Sequence, residues 1–147
     1  MKSAAADTRA TALASAMTLM AIDLGLQRTG IAVGNRITET AEPLTTLQAG
    51  DKASRLAQVV ALVQQWQPGA LIVGRPCHPD GNPHEMTRIA EKFARQLVHE
   101  LRLPVAMVDE RYTSKEAEAL GAKDVDSMAA CLILERYFAA LTPPIFV

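Results

Sequence analysis

The sequence is poor in aromatic side chains, with one tryptophan, two tyrosines and three phenylalanines in 147 residues. With so few, a stacking platform for single-stranded nucleic acid is not evident. It has two cysteines, Cys77 and Cys131, far apart and without metal-type spacing, a pattern that suits a reducing compartment. Cys77, His78, His84 and His99 match no zinc-ligand pattern. No window approaches the ~20 apolar residues of a membrane span, so no membrane partner is expected. Neither sign of charge dominates: 15 Lys and Arg face 16 Asp and Glu, for a net charge of −1. Attraction to nucleic acid must therefore come from a local basic patch. No internal repeat is present.

What remains is the length of one domain, enough to bury roughly two-thirds of the unfolded surface and fold without staples. Residues 1–16 are rich in Ala, Thr and Ser and read as a flexible N-terminal extension ahead of a single domain at 17–147. Ala14-Ser15-Ala16 looks like a signal-peptide cleavage site. The apolar centre before it is weak, though, and Thr8, Arg9 and Thr11 interrupt it, so a cytoplasmic location is expected. Met17, just before the first strand, and Met20, near its start, are alternative translation starts to Met1.

The pattern predicts strands at Thr18 to Leu24 and Gly30 to Val33, joined by a short polar turn into a hairpin. A third, Thr38 to Leu47, contains Pro43 and is expected at a sheet edge. Asp51 is a fair N-cap for a helix to about Trp66, with Leu56, Val59, Val60, Val63 and Trp66 on its apolar face. Ala70 to Gly74 reads as a buried strand and 75–83 as a loop. A second helix covers His84 to Leu101, and Arg88, Lys92 and Arg95 lie on one side of it, where a charge run is ordinarily a solvated face. Pro104 precedes a strand from Val105 to Val108. Thr113 and Glu116 suggest a capping box for a short helix at 114–120. The last helix runs from Asp126 to about Leu141. Hairpins followed by alternating strands and helices predict an α/β fold, a mixed five-stranded sheet with helices on both faces.

Asp23 stands in an apolar run, Met20-Ala21-Ile22-Asp23-Leu24. Burying an unpaired charge there costs several kcal/mol, so Asp23 needs a partner. Sites in α/β sheets form at the carboxyl ends of parallel strands. Glu110 lies just past such an end, and Asp126 opens a helix whose dipole stabilises a carboxylate. If the first strand is central, the three converge and repel one another unless cations lie between them. Oxygen ligands select Mg²⁺ or Mn²⁺, and two such ions can activate a water at a phosphodiester.

These segments resemble the YqgF family, the Holliday-junction-resolvase-like nucleases of the ribonuclease H superfamily, also described as pre-16S ribosomal RNA nucleases. The resemblance is carried by Ala21-Ile22-Asp23-Leu24-Gly25 with Arg28-Thr29-Gly30-Ile31-Ala32-Val33, then Ile72-Val73-Gly74-Arg75-Pro76 with Asp80-Gly81. It continues through Pro104 to Thr113 around Asp109-Glu110-Arg111 and through Val125-Asp126-Ser127-Met128-Ala129-Ala130 with Ile133-Leu134. Each motif is weak alone; four in order at compatible spacing are specific, and they cover nearly everything after Met17. The resemblance implies a ribonuclease H-like fold, an Asp23, Glu110 and Asp126 metal site, and metal-dependent hydrolysis of nucleic acid. Processing the 5′ end of 16S ribosomal RNA is the implied role, with ribosomal precursor particles as partners. Two departures stand out. Only Gly121-Ala122-Lys123-Asp124-Val125 remains where the family commonly has a longer basic segment, which weakens strong junction binding there. Arg75 stands where the family often has Leu, as a candidate to offset the lost charge.

Blander readings stand beside these. Asp23 can cap the Gly25 turn, Glu110 can pair with Arg111 or Arg28, and Asp126 can be an ordinary N-cap. Asp109 reads as a group orienting a ligand or an arginine. Arg28, Arg75, Arg111 and Lys115 are candidate phosphate contacts. Gly25 and Gly30 supply unusual backbone angles or close approach. Besides a nuclease for structured RNA, the sequence admits a resolvase for branched DNA, which requires a dimer; the protein is expected to be a monomer or weak homodimer. An ATP-binding fold is disfavoured because no second glycine-rich phosphate loop follows. A non-catalytic module is disfavoured by the intact carboxylates.

Overall fold

A computed structural model describes residues 4–110, 125–139 and 144–147. Six strands form one sheet in the order β3-β2-β1-β4-β5-β6. They are β1 (Thr18–Asp23), β2 (Arg28–Asn35), β3 (Thr40–Gln48), β4 (Ala70–Pro76), β5 (Val105–Glu110) and β6 (Ile145–Phe146). The first three pair antiparallel, β1-β4 and β4-β5 pair parallel, and β6 returns antiparallel to β5. The described helices are α1 (Ala4–Ser15), α2 (Lys52–Trp66), α3 (Glu85–Leu101) and α4 (Val125–Ala139).

The two-residue alternation of the strands divides the core into two layers. Met20, Ile22, Leu71, Val73, Val105 and Met107 face α2 and α3. Leu19, Ala21, Ile72, Ala106 and Val108 face the other way, against Ile133 and Leu134 of α4. Asp23 continues the phase of Leu19 and Ala21, and Glu110 continues that of Ala106 and Val108. Both carboxylates therefore emerge on the α4 face, at the same end of parallel strands.

Local signals behave as the sequence predicts in several places. Asp51 caps α2, its carboxylate accepting from Ser54 N at 2.8 Å. Pro43 lies in β3 at the sheet edge, where the register breaks between Ile31 and Ala32. Trp66 ends α2 half exposed, so the buried stripe is carried by Val59 and Val63 instead.

Three features differ from expectation. The sheet has six strands, because Ile145–Phe146 pairs with Met107 and Ala106. Ala4–Ser15 is helical where a loose extension was expected. Leu13 and Ala16 are buried, and Arg36 donates to the carbonyls of Ala16 and Leu13 and to Tyr137 Oη, each at 2.7 Å. Finally, β2 and β5 are longer than the apolar runs, so Arg28 begins β2 and Asp109 and Glu110 end β5. The expected short helix at 114–120, Arg111, Lys115 and the segment 121–124 lie outside the described residues.

Candidate active site

The carboxyl ends of β1 and β5 and the first turn of α4 border one cleft of about 440 Å³. Asp23, Glu110 and Asp126 all line it, together with Arg28, His84 and Met86. The three carboxylates singled out from sequence thus share one site.

Two glycines make that convergence possible. β4 lies between β1 and β5, so Glu110 must reach over it to meet Asp23. Gly74 is the β4 residue beneath that path: a Cβ there would lie 2.1 Å from Glu110 Oε2 and 2.6 Å from Ile133 Cδ1. On the other side, Asp23 pairs with Gly30 of β2. A Cβ on Gly30 would lie 1.9 Å from the backbone oxygen of Asp126. The start of α4 is therefore seated directly on the β2 backbone. Gly25 is also a close-approach position, with Arg28 O at 2.2 Å from a Cβ. Neither Gly25 nor Gly30 has positive φ, so close approach is what both supply.

The carboxyls of Asp23 and Glu110 lie close enough that each shifts the other's titration. Two carboxylates this close do not both ionise freely without a cation between them. Burial pushes the Asp23 carboxyl up to about 6; the hydrogen bond with Glu110 opposes the rise and the charge of Asp126 adds to it. Glu110 is raised well above the ordinary carboxylate range by burial first, then by the charge of Asp23 and the shared hydrogen bond. Arg136 of α4 partly offsets this. Glu110 Oε2 is buried without a hydrogen-bond partner among the described residues. Such an oxygen has lost water and gained nothing in return.

Asp126 is turned toward Arg28, whose Nε lies 3.3 Å from Asp126 Oδ2. Among the described residues, no group of three His, Cys, Asp or Glu stands ready to share one ion. The pair sits at the open rim, the Arg28 side chain 64% exposed, where such bridges contribute little.

Arg75 is not brought to the cleft. It is the register partner of Asp109 across β4 and β5, donates to Asp109 Oδ1 at 3.2 Å, and lies 3.6 Å from Glu91 of α3. Its charge is spent inside the protein, and Asp109 is the group that orients it. Sequence reasoning missed three contributors. Gly74 gives no local signal, because its reason lies on another strand. Arg55 is buried in α2 and donates to Leu26 O at 2.8 Å, fixing the loop after Asp23; its signal was an arginine in phase with the buried Val59 and Val63. His84 caps α3, its Nδ1 accepting from Met86 N at 3.1 Å. Buried Thr87 accepts from His84 N and donates to Pro76 O, tying the start of α3 to the end of β4. Cys131 offers no nucleophile: burial, then the charges of Glu135 and Glu42, push its thiol up to about 12.

Comparison with known proteins gives the chain's family and fold. Residues 17–140 match the family described as RuvX, Holliday junction resolvase. A protein of Albidiferax ferrireducens named "Putative pre-16S rRNA nuclease" is 50% identical over 128 residues, covering 87% of this chain and 81% of the relative. One of the same name from Polynucleobacter necessarius is 47% identical over 132 residues, covering 88% and 90%. Among solved structures, Thermus thermophilus RuvC in complex with a Holliday junction substrate superposes with a TM-score of 0.59 at 18% identity, covering 89% of this chain and all of that one. The fowlpox virus resolvase with Holliday junction DNA gives 0.55 at 12% identity, covering 86% and 100%. At those identities the likeness establishes a shared ribonuclease H-like fold. The family match and the close relatives go further: the chain belongs to the RuvX Holliday junction resolvase family.

Proposed function

We propose that the protein is a metal-dependent nuclease that hydrolyses phosphodiester bonds in structured RNA, processing the 5′ end of pre-16S ribosomal RNA in the cytoplasm. The observation that carries this reading is the meeting of Asp23 and Glu110 above Gly74, with Asp126 beside them in one cleft. Relatives about half identical carry the pre-16S rRNA nuclease name, which favours RNA as the substrate. No described helix is long and apolar enough to cross a membrane.

The donor set fits hard divalent cations. All three groups are carboxylates, two of them are raised by their own burial and proximity, and Glu110 Oε2 is a buried acceptor with nothing to accept among the described residues. Asp23, Glu110 and Asp126 would hold Mg²⁺ or Mn²⁺, two ions in the full site. Such ions, when bound, lower the pKa of an attacking water and stabilise the leaving oxygen.

The chain's own residues do the rest. Gly74 and Gly30 fix the carboxylates in place without a side chain of their own. Arg28, held by a rim ion pair, is positioned to exchange Asp126 for a substrate phosphate through its forked donors. Arg55 holds the Leu26 carbonyl so that the loop bearing Gln27 and Arg28 keeps its shape. Arg111 and Lys115 remain phosphate contacts on sequence grounds, and ribosomal precursor particles the proposed setting.

The test is cleavage of a 5′-extended 16S precursor RNA by the wild type and by Asp23→Asn. Chelator-sensitive cleavage by the wild type, abolished in a folded Asp23→Asn variant, supports the reading. Full activity in the variant overturns it. The family's resolvase description favours a second reading, a dimer cutting branched DNA. Sizing the protein with and without a four-way junction separates the two.

A further inference from the structure

The exposed face of α3 carries Arg88, Lys92, Arg95 and His99, spaced four, three and four residues apart, which places them on one stripe along the helix. All four are exposed, and none has an ion-pair or hydrogen-bond partner among the described residues. This is unusual given what lies close by. Glu91 is four residues before Arg95, the favourable spacing for a helical ion pair, yet it lies 3.6 Å from Arg75 instead. The acids Glu85 and Glu100 stand at the two ends of α3. A protein with a net charge of −1 thus leaves Arg88, Lys92 and Arg95 in one row without internal neutralisation.

The helix that carries the stripe also borders the cleft at its start. α3 starts at His84 and Met86, both of which line the cleft. From Met86 to His99 the helix rises about 20 Å. Alongside the far half of the stripe runs a groove of about 370 Å³ lined by Lys92, Arg95, Gln96, His99, Glu100 and, from α2, Leu56.

We infer that this face of α3 is a track for the phosphate backbone of the substrate, leading nucleic acid into or out of the cleft. The inference rests on the nuclease reading for its substrate class and adds where the strand runs. Phosphate contacts position a nucleic acid without reading its sequence, which suits a site distant from the scissile bond. The short segment before Asp126 offers one basic residue, Lys123, beside the acid Asp124, so the row on α3 is the larger source of positive charge.

The experiment is a salt titration of binding to a fluorescent RNA stem-loop with a single-stranded tail, using the full chain in chelator. The wild type is compared with the triple variant Arg88→Gln, Lys92→Gln, Arg95→Gln and with Lys52→Gln as an off-track control. Glutamine keeps helix propensity at these exposed positions, and circular dichroism checks folding. Removing three phosphate contacts is expected to flatten the slope of log affinity against log salt by about 2 and to weaken low-salt binding at least about tenfold. Lys52→Gln is expected to change neither. An unchanged slope and affinity in the folded triple variant overturns the inference and leaves the stripe to solvent or to an acidic protein partner. A slope lost equally in Lys52→Gln overturns it too, since the attraction would then be diffuse. Asp23→Asn separates failure of the track from failure of the nuclease reading: full cleavage in that variant sinks the nuclease assignment, while the binding result still decides the track.

Discussion

Glu110 Oε2 occupies the space where a side chain on Gly74 would begin. A Cβ there would stand 2.1 Å from it. This one contact lets a carboxylate on β5 cross β4 and reach Asp23 on β1. Gly74→Ala is therefore expected to push Glu110 off its position. A displacement of that order costs on the order of 100-fold in rate, while overpacking costs roughly 1–3 kcal/mol in stability. Steady-state cleavage alongside thermal melts checks the split. A variant that melts early but cleaves normally would show that Gly74 matters for packing alone.

Gly30→Ala is the harsher change. The obstructing atom is the backbone oxygen of Asp126, 1.9 Å from the added carbon, and no rotamer relieves it. The start of α4 must lift off β2, carrying Asp126 with it. Destabilisation at or above the ~3 kcal/mol end of the overpacking range is expected, larger than for Gly74→Ala, where the nearest atom belongs to a flexible side chain. Urea midpoints of the two variants decide the order.

Arg28→Ala separates a structural ion pair from a substrate contact. Its partner lies 3.3 Å away at an exposed rim, so stability is expected to change by less than about 1 kcal/mol. RNA cleavage is expected to fall chiefly through a raised KM. Unaltered kinetics would remove Arg28 from the substrate interface.

The carboxylate pair also sets a pH dependence. Asp23 is raised from 3.8 to about 6, and Glu110 is raised as well. Between the unfolded and folded values the native state binds more protons than the unfolded chain, so stability falls as pH rises. The pair's contribution is fully present below about pH 4 and is lost as pH climbs through about 6 and beyond. In chelator, Asp23→Asn is therefore expected to gain stability relative to the wild type as pH goes from 4 to 7. Urea denaturation of both proteins across that range measures the difference, and a constant difference would mean that folding does not raise the Asp23 carboxyl.

Much of this site was legible because its carboxylates break local patterns. Asp23 interrupts an apolar strand, Glu110 follows another, and Asp126 opens a helix; each is visible in a few neighbouring residues. What was illegible depends on register. Arg75 looked like a free cation because its partner, Asp109, lies opposite it only once β4 and β5 pair. Gly74 looked like an ordinary strand glycine because the atom it accommodates comes from β5. β6 is two residues long after a double proline, too short for any periodicity to show. α1 lacked a clear apolar stripe, since Leu13 and Ala16 near its end supply the buried anchors and Arg36, far along the chain, holds them.

The nuclease reading turns on whether Asp23, Glu110 and Asp126 form one cation site. A crystal structure grown with Mn²⁺ tests this through anomalous density at the cleft. Manganese is expected between Asp23 and Glu110, with Asp126 turned from Arg28 to join them. Manganese bound elsewhere, with the Arg28 and Asp126 pair intact and no density between Asp23 and Glu110, would contradict it.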